Sequence, residues 1–469
     1  MEDVTICRIT FGELLEKDSH ISIPGYQRAY LWDTTKVDAL LEDLKAFKES
    51  NPRQEEEYYM GGILLYKDKL KSEYEIIDGQ QRLTTLNLIT YLLERRTKLK
   101  IMYSNHTSKD HIKKNYTYLA SNIDLLKALD DYLEKIVFTL IISYDKDKSF
   151  LFFDTQNSRG VSLSADDFLK AYHLREVESE ALQKSLATTW EQAALSGHSN
   201  AKKMALTYLF EEIIYPARQW KGATTCKVAN RDLILECFQK KTIKQSENTL
   251  PLFGTKNYVK FDLHENEISY TEMLISEKTI DITAPPMEIR QPIYKGVHFF
   301  QYTQRYHTIH KLLFSTPKNK IQDKSIINTI TYFENVYNAD MSIYLKHFME
   351  LCLVMYCDSF GSTHLDRAIE FFDYFIGGLR LEKSVRIEAV RKSLTVPKVN
   401  LLDVIAHAYL PNEVFEFIKE ENYIRTKYKE SSSKEDNRHK KNNYIDRVLD
   451  QYRKKTQDVN LENRLAWIN

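Results

Sequence analysis

The chain has 469 residues, of which 43% are hydrophobic and 12% aromatic, and 66 Lys plus Arg balance 66 Asp plus Glu. That length allows two or three packed domains, and a formal charge of zero excludes a globally basic nucleic-acid binder while leaving room for a local basic face. The five cysteines are odd in number and contain no Cys-x-x-Cys pair, so neither a disulfide framework nor a zinc ribbon is expected.

Residues 12–17 predict a short helix. Asp33 or Thr34 can cap a helix through Lys48, with Val37, Leu40, Leu41, Leu44 and Phe47 on one side. Residues 58–66 read as a strand bent at Gly61-Gly62. A polar link leads to a second strand over 74–77, and a helix follows to about Leu99. Residues 109–134 read as helical, and 137–143 as a β-branched strand. Residues 150–155 fit strand or helix on pattern alone. Beyond 200, helical spacing recurs over 201–215, 229–240, 297–314, 324–337, 342–355, 365–376 and 399–408. Residues 242–292 hold Pro251, Pro285, Pro286 and Pro292 and read as an irregular insertion. The Lys- and Ser-rich stretch 426–443 predicts a charged linker or solvated helix, and a terminal helix follows. The expected class is α+β: a small-sheet N-terminal domain followed by a mostly α-helical region. The expected division is 1–178, 179–425 and 426–469.

Three segments carry candidate chemistry. The first is Tyr74-Glu-Ile-Ile-Asp-Gly-Gln-Gln-Arg82, where a strand hands over to a helix. Gly79 allows close backbone approach, and the first N–H groups of a helix can receive a phosphate. The planar fork of Arg82 can grip that phosphate, and Asp78 can hold a metal ion or orient a water. The same turn also reads as a plain strand-to-helix connection with Asp78 as N-cap. The second segment is Ile23-Pro-Gly-Tyr-Gln-Arg-Ala-Tyr-Leu-Trp32, a fixed bend followed by an amide, a cation and aromatics. The third runs from Phe152 to Lys170. It contains the polar turn Asn157-Ser-Arg159-Gly160, then Ser164 and Asp167 at capping-box spacing.

Together these segments resemble the DGQQR-motif family, the N-terminal half of GmrSD-type restriction systems, over roughly residues 8–175. The resemblance implies a ParB/sulfiredoxin-like nucleotide-binding fold. It implies nucleoside-triphosphate binding and hydrolysis in bacterial defence against phage DNA, with Mg²⁺ as the accompanying ion and GTP as one candidate nucleotide. Carried over by position, the motif residues are Pro24, Gln27, Arg28, Tyr30 and Trp32, then Asp78, Gly79, Gln80, Gln81 and Arg82, then Asn157, Arg159, Gly160, Asp167 and Lys170. Asp78, Arg82 and Arg159 are the expected catalytic residues, with Asp78 also the metal ligand. Pro24, Tyr26, Gln27, Arg28, Gly79, Gln80, Gln81, Asn157, Gly160 and Lys170 are the expected nucleotide contacts.

Other chemistry is sparse. There is no Gly-x-x-x-x-Gly-Lys-Ser/Thr loop and no His-Glu-x-x-His pair. His298, His307 and His310 share one predicted helix without neighbouring carboxylates in sequence. The histidine-nuclease signature that many family members carry C-terminally is not visible. The expectation is therefore a nucleotide-dependent subunit whose DNA cleavage comes from a nuclease-bearing partner, with phage DNA met directly or through that partner, in a modification-dependent system among other options. A homo- or hetero-oligomer is compatible with it. The alternatives are a nucleotide switch or DNA- or partner-binding module without turnover, and a diverged endonuclease. Met1 to Thr10 lacks the apolar stretch of a signal peptide, and no apolar run reaches a membrane-spanning length, so a cytoplasmic protein without membrane contact is expected.

Overall fold

A computed structural model describes all residues except 1–3, 17–19, 25–26, 28, 51–52, 54–55, 69–72, 95–98, 104–105, 146–147, 150–163, 197–203, 224–226, 245–256, 265–266, 275–286, 338–341, 382–386, 397–398, 434–442, 454–455, 458–459 and 469. The chain divides into two compact units. One comprises Met1–Leu163 with Ser179–Thr188, and the other Ser164–Glu178 with Thr189–Asn469. The first break therefore lies at Leu163/Ser164, ahead of residue 178, and the tail after 425 groups with the second unit.

The fold is α+β. The first unit holds β1 (Val4–Thr10), α1 (Phe11–Glu16), β2 (His20–Ser22), α2 (Thr34–Glu49), β3 (Tyr58–Lys67) and β4 (Tyr74–Asp78). It continues with α3 (Gln80–Glu94), β5 (Lys100–Met102), α4 (His106–Ser121), α5 (Ile123–Leu133) and β6 (Ile136–Ser143). The six strands form one mixed sheet in the order β1-β6-β3-β4-β2-β5. β3 runs parallel to β6 and antiparallel to β4, while β2 lies parallel to both β4 and β5. Asp33 caps α2 by accepting from Lys36 N at 3.0 Å, and the helix buries Val37, Leu40, Leu41 and Leu44. These join Ile63, Leu65, Ile76, Leu83, Leu86, Phe138 and Leu140 in one core. Each such side chain, fully buried, contributes about 1.5–3 kcal/mol relative to exposure, which anchors β3, β4 and α3 around the candidate motif. β1, β2 and β5 were not expected from the sequence.

β3 is irregular. Its register against β6 shifts between Tyr59 and Gly62, and its register against β4 shifts between Leu64 and Leu65. Gly61 takes φ +100° at the first shift, a conformation that disfavours any residue with a Cβ.

The second unit is mainly helical. Its elements include α6 (Ala165–Arg175), most of the C-terminal half of α7 (Glu180–Leu195), a helical run over 205–219, and α8 (Val297–Phe314). They continue with α9 (Lys324–Tyr337), α10 (Ile343–Phe360), α11 (Leu365–Gly377), α12 (Ile387–Thr395), α13 (Leu401–His407), α14 (Pro411–Glu420), α15 (Asn422–Ser433) and α16 (Asn443–Tyr452). The middle of the 205–219 run, Leu209–Ile214, is a π-helix. Within the stretch expected to be irregular, β7 (Asn257–His264) and β8 (Glu267–Leu274) form an antiparallel hairpin.

Two buried polar clusters tie this unit together. In one, Arg305 pairs with Asp358 at 3.2 Å, and Asp358 also accepts from the Tyr306 hydroxyl at 3.1 Å. In the other, Arg464, from a 3-10 turn over Leu461–Trp467, pairs with Asp373 of α11, both fully buried. Tyr332, Tyr337 and Tyr444 donate to the Asp373 carboxylate, and Arg464 Nη1 donates to the Tyr428 hydroxyl at 2.6 Å and the Tyr444 hydroxyl at 2.9 Å. A Cβ on Gly377 would collide with the Tyr444 hydroxyl.

Three histidines of this unit are buried and neutral. Burial pulls His173 down to about 3, and His298 and His307 to about 4. His173 stacks on Phe299 at 3.7 Å and donates from Nε2 to Phe238 O at 2.8 Å. A folded value below the ordinary 6.5 means that each supports the fold fully above that pH and opposes it as pH falls toward the folded value. Asp166 runs the other way: burial, then the neighbouring Asp167 charge, push it up to about 6, so acid relieves it. Burial also raises the Asp358 carboxyl, but the three histidines outweigh the two acids, and the melting temperature of this unit is expected to fall from about pH 7 to about pH 5. A melting temperature that stays flat or rises over that interval would contradict this.

Candidate functional site

The site forms where β4 ends. Gly79 has φ +98°, and a Cβ there would lie 3.2 Å from Ile63 Cγ1, so both the backbone and the neighbouring strand require glycine. α3 begins at the next residue. Leu83 N donates to Gly79 O at 3.0 Å, so the amides of Gln80, Gln81 and Arg82 precede the helix's own ladder. The Asp78 side chain, 38% exposed, stands beside this end.

Arg82 reaches back over the irregular part of β3. Its Nη1 donates to Met60 O and its Nη2 to Gly62 O, both at 2.7 Å, and Nη2 lies 3.4 Å from Asp78 Oδ2. A Cβ on Gly61 would collide with Nη1. The fork of Arg82 thus fits two carbonyls presented by the β3 bulge and steadies Asp78 from the same position. The phosphate grip expected for Arg82 would require it to release those carbonyls.

The opening motif is fastened to the same helix. Gln81 Oε1 accepts from Leu31 N at 2.9 Å and Trp32 N at 3.1 Å, and its Nε2 donates to Ala29 O at 3.0 Å. Buried Gln27 donates from Nε2 to Ile77 O at 2.6 Å, and its own N–H closes a turn on Pro24 O at 3.0 Å. Tyr30 is fully buried. Its hydroxyl meets Thr85 Oγ1 at 2.8 Å and accepts from Asn115 Nδ2 at 2.9 Å, and burial raises its pKa above the ordinary phenol value. Asn115 also donates to Trp32 O at 2.7 Å.

Gln80 behaves differently from its neighbour. It is 6% exposed, yet neither Oε1 nor Nε2 has a hydrogen-bond partner among the described residues. One turn on, Thr84 donates to Gln80 O at 2.7 Å and meets the Tyr103 hydroxyl. Asn87, at the next position of that face, donates to Leu99 O at 3.1 Å.

Pro24, Gln27 and Asp78 to Arg82 are therefore brought together. Tyr26, Arg28, Asn157, Arg159 and Gly160 lie outside the described residues. Lys170 sits in α6 of the second unit, its ammonium 2.7 Å from Glu191 with the side chain 2% exposed. Ser164 caps α6, with Asp167 N donating to its Oγ at 3.4 Å and its hydroxyl donating to Asp167 Oδ2 at 3.0 Å. The structure adds to the site Thr84, Thr85, Asn87, Tyr103 and Asn115, none of which the three motifs single out. Thr84 and Thr85 carry a sequence signal, as polar residues four positions on from Gln80 and Gln81 within an otherwise apolar helix, whereas Tyr103 and Asn115 lie outside that helix and carry none.

The histidines of α8 have separate partners. His298 pairs with Gln291 at 3.0 Å, His307 with Ser196 at 2.8 Å, and His310 lies 3.4 Å from the buried Glu350, which also accepts from Tyr208 at 2.5 Å. No cluster of three or more metal-ligating side chains occurs among the described residues. No helix among them is long and apolar enough to cross a membrane.

Comparison with known families divides the chain in two, with boundaries that differ from those of the compact units. Residues 11–174 match the GmrSD restriction endonuclease, N-terminal domain. Residues 182–437, more than half of the chain, match the Family of unknown function (DUF7834). No curated protein matches the chain. The chain thus belongs to the DUF7834 family, and the sheet-bearing segment that presents Asp78 to Arg82 is a domain of the kind found at the N-terminus of GmrSD restriction endonucleases.

Proposed function

We propose that the first unit binds a nucleoside triphosphate at the β4–α3 turn and hydrolyses it, as the nucleotide-dependent component of a GmrSD-like phage-defence restriction system whose DNA cleavage comes from a partner. The observation that carries this reading is the Gly79 turn. It sets a half-exposed carboxylate beside the unladdered amides of a fifteen-residue helix, in a domain matching the GmrSD N-terminus. Such a helix end favours anionic groups.

Each residue has a distinct role in this reading. The amides of Gln80, Gln81 and Arg82 meet phosphate oxygens. Arg28 and Arg159 neutralise phosphate charge. Arg82 holds Asp78 and the β3 bulge in place. A single accessible carboxylate fits Mg²⁺, which is commonly held by one or two carboxylates together with substrate phosphates and waters. Asp78 would hold that ion, and the ion would supply charge neutralisation at the phosphates. GTP is one candidate among the nucleotides.

Thermal-shift measurements with four nucleoside triphosphates, with and without Mg²⁺, test binding. About 2.7 kcal/mol of stabilisation is expected at a hundredfold excess over Kd, and phosphate release should accompany it. A wild-type chain that melts at the same temperature with every nucleotide would remove the reading. Incubated alone with phage DNA and Mg²⁺, the chain is expected to leave the DNA uncut. Nicking activity that tracks the chain through purification would favour the endonuclease alternative.

A further inference from the structure

The two adjacent glutamines of the motif look equivalent in sequence, but their surroundings are opposite. Every polar atom type of the Gln81 amide is engaged by backbone, through Leu31 N, Trp32 N and Ala29 O. The Gln80 amide is as deeply buried, at 6% against 8% exposure, and neither of its polar atoms has a partner among the described residues. A buried amide that bonds to nothing carries an uncompensated desolvation penalty. Such groups are rare in folded proteins and call for a specific explanation. Gln80 is also the first residue of α3, at the helix end where the nucleotide is placed above.

The kind of idle group narrows the ligand. A carboxamide offers one acceptor oxygen and a donor nitrogen side by side. A phosphate only accepts, so it could satisfy Nε2 while setting its negative charge against Oε1. A group that presents a donor and an acceptor side by side satisfies both atoms at once. The edge of a nucleobase has this character, and amide side chains read bases in this bidentate way. We infer that Gln80 is the base-reading residue of the site, pairing its amide with the hydrogen-bonding edge of a nucleobase, while Gln81 is the positioning residue that clasps the 29–32 segment onto α3. This inference rests on the nucleotide reading of the β4–α3 turn and adds which part of the ligand each glutamine meets.

Thr84 and Tyr103 support the assignment. Thr84 is one turn below Gln80 on the same face, and its hydroxyl bonds to Gln80 O and to the Tyr103 hydroxyl. The backbone of Gln80 is thus held on its inner side while its side chain lacks a partner. A rigid backbone carrying an unengaged amide is preorganised for a ligand.

The two roles leave different marks on the free protein. Replacing a buried unpaired amide by an unbranched apolar side chain of similar volume removes a penalty, so Gln80→Met should melt at or above the wild-type temperature without ligand. Gln81→Met breaks three bonds to backbone and should melt lower. With ligand, the probes are ATP, GTP, CTP, UTP and inorganic tripolyphosphate, which has no base. Wild type should be shifted more by its preferred nucleotides than by tripolyphosphate. Gln80→Met should reduce every nucleotide to the tripolyphosphate level. Gln80→Glu keeps the shape but turns the donor into an acceptor, and it should change the order of preference among the bases. If Gln80→Met melts well below wild type, the amide has a partner in the free protein and the inference is wrong. It is equally overturned, with nucleotide binding left standing, if the variants keep the wild-type surplus and base order. A uniform loss with the base order unchanged would move the contact to a sugar hydroxyl and reject the base assignment. If no nucleotide shifts wild type, the nucleotide reading itself fails and this inference fails with it.

Discussion

Replacing Arg464 by Met should lower the stability of the second unit by about 3–5 kcal/mol, the usual cost of leaving one member of a buried ion pair alone. The guanidinium is fully buried against Asp373 and bonds to the hydroxyls of Tyr428, Tyr444 and Tyr332. Burial pushes Tyr332, Tyr337 and Tyr444 well above the ordinary phenol value, so they stay neutral. The cluster therefore contains one cation, one anion and a set of neutral hydroxyls. Without Arg464, three hydroxyls still donate to Asp373, but its charge has no counter-ion. The drop in melting temperature should be on the order of ten degrees. Deleting residues 461–469 should have a similar effect, because Arg464 lies within them. The double variant Arg464→Met, Asp373→Leu should recover part of the loss, since removing both charges avoids the stranded carboxylate. If the single variant melts within a degree or so of wild type, the cluster is not a structural lock.

That lock could not be read from the sequence. Asp373 and Arg464 are ninety-one residues apart, and nothing local marks either as buried. Patterns set by neighbouring residues were more legible. α8 and α9 follow their apolar spacing to the residue, and Asp33 caps α2 as its position before the helix suggested. Strands that depend on distant partners were less so. β2 and β5 are three residues each and exist because they pair with each other and because β2 also pairs with β4. β1 pairs with β6, more than a hundred residues away. The β7–β8 hairpin had a local signal, since Val259, Phe261 and Leu263 alternate with Lys260, Asp262 and His264. Its proline-rich flanks drew the reading toward an irregular insertion instead.

The candidate site shows the same split. Its location was legible because Asp-Gly between an apolar strand and a helical pattern is a local signal. The division of labour inside it was not. An arginine beside a phosphate-binding turn and an arginine closing a β-bulge have the same one-letter neighbours. Only the register shift of β3, with Met60 and Gly62 turning their carbonyls toward α3, separates them. Likewise, Gln80 and Gln81 differ only once the 29–32 segment is seen to lie against one of them.

Asp78→Ala is expected to cost on the order of a hundredfold or more in phosphate release while leaving the fold intact. Its carboxylate is 38% exposed, and its interaction with Arg82 is long at 3.4 Å, so little stability depends on it. Arg82→Ala should act on both properties. It leaves Met60 O and Gly62 O without their donor, at about 1–3 kcal/mol if they stay dry, and it frees Asp78 to move, so turnover falls as well. Arg82→Lys should resemble Arg82→Ala more than wild type, because a point-like ammonium cannot bridge two carbonyls as the planar fork does. Gly61→Ala supplies the independent arm. It touches no ligand in any reading, yet its methyl would displace Arg82 and strain a backbone at φ +100°. It should therefore reproduce the Arg82→Ala loss of turnover. Paired measurements of melting temperature and steady-state kcat and KM separate the two roles of Arg82. A buttress lowers stability and kcat together and is mimicked by Gly61→Ala. A phosphate grip raises KM, leaves the melting temperature of the free protein unchanged, and is not mimicked. Wild-type turnover in a well-folded Asp78→Ala variant would remove Asp78 from the chemistry, and with it the reason for Arg82 to hold that carboxylate.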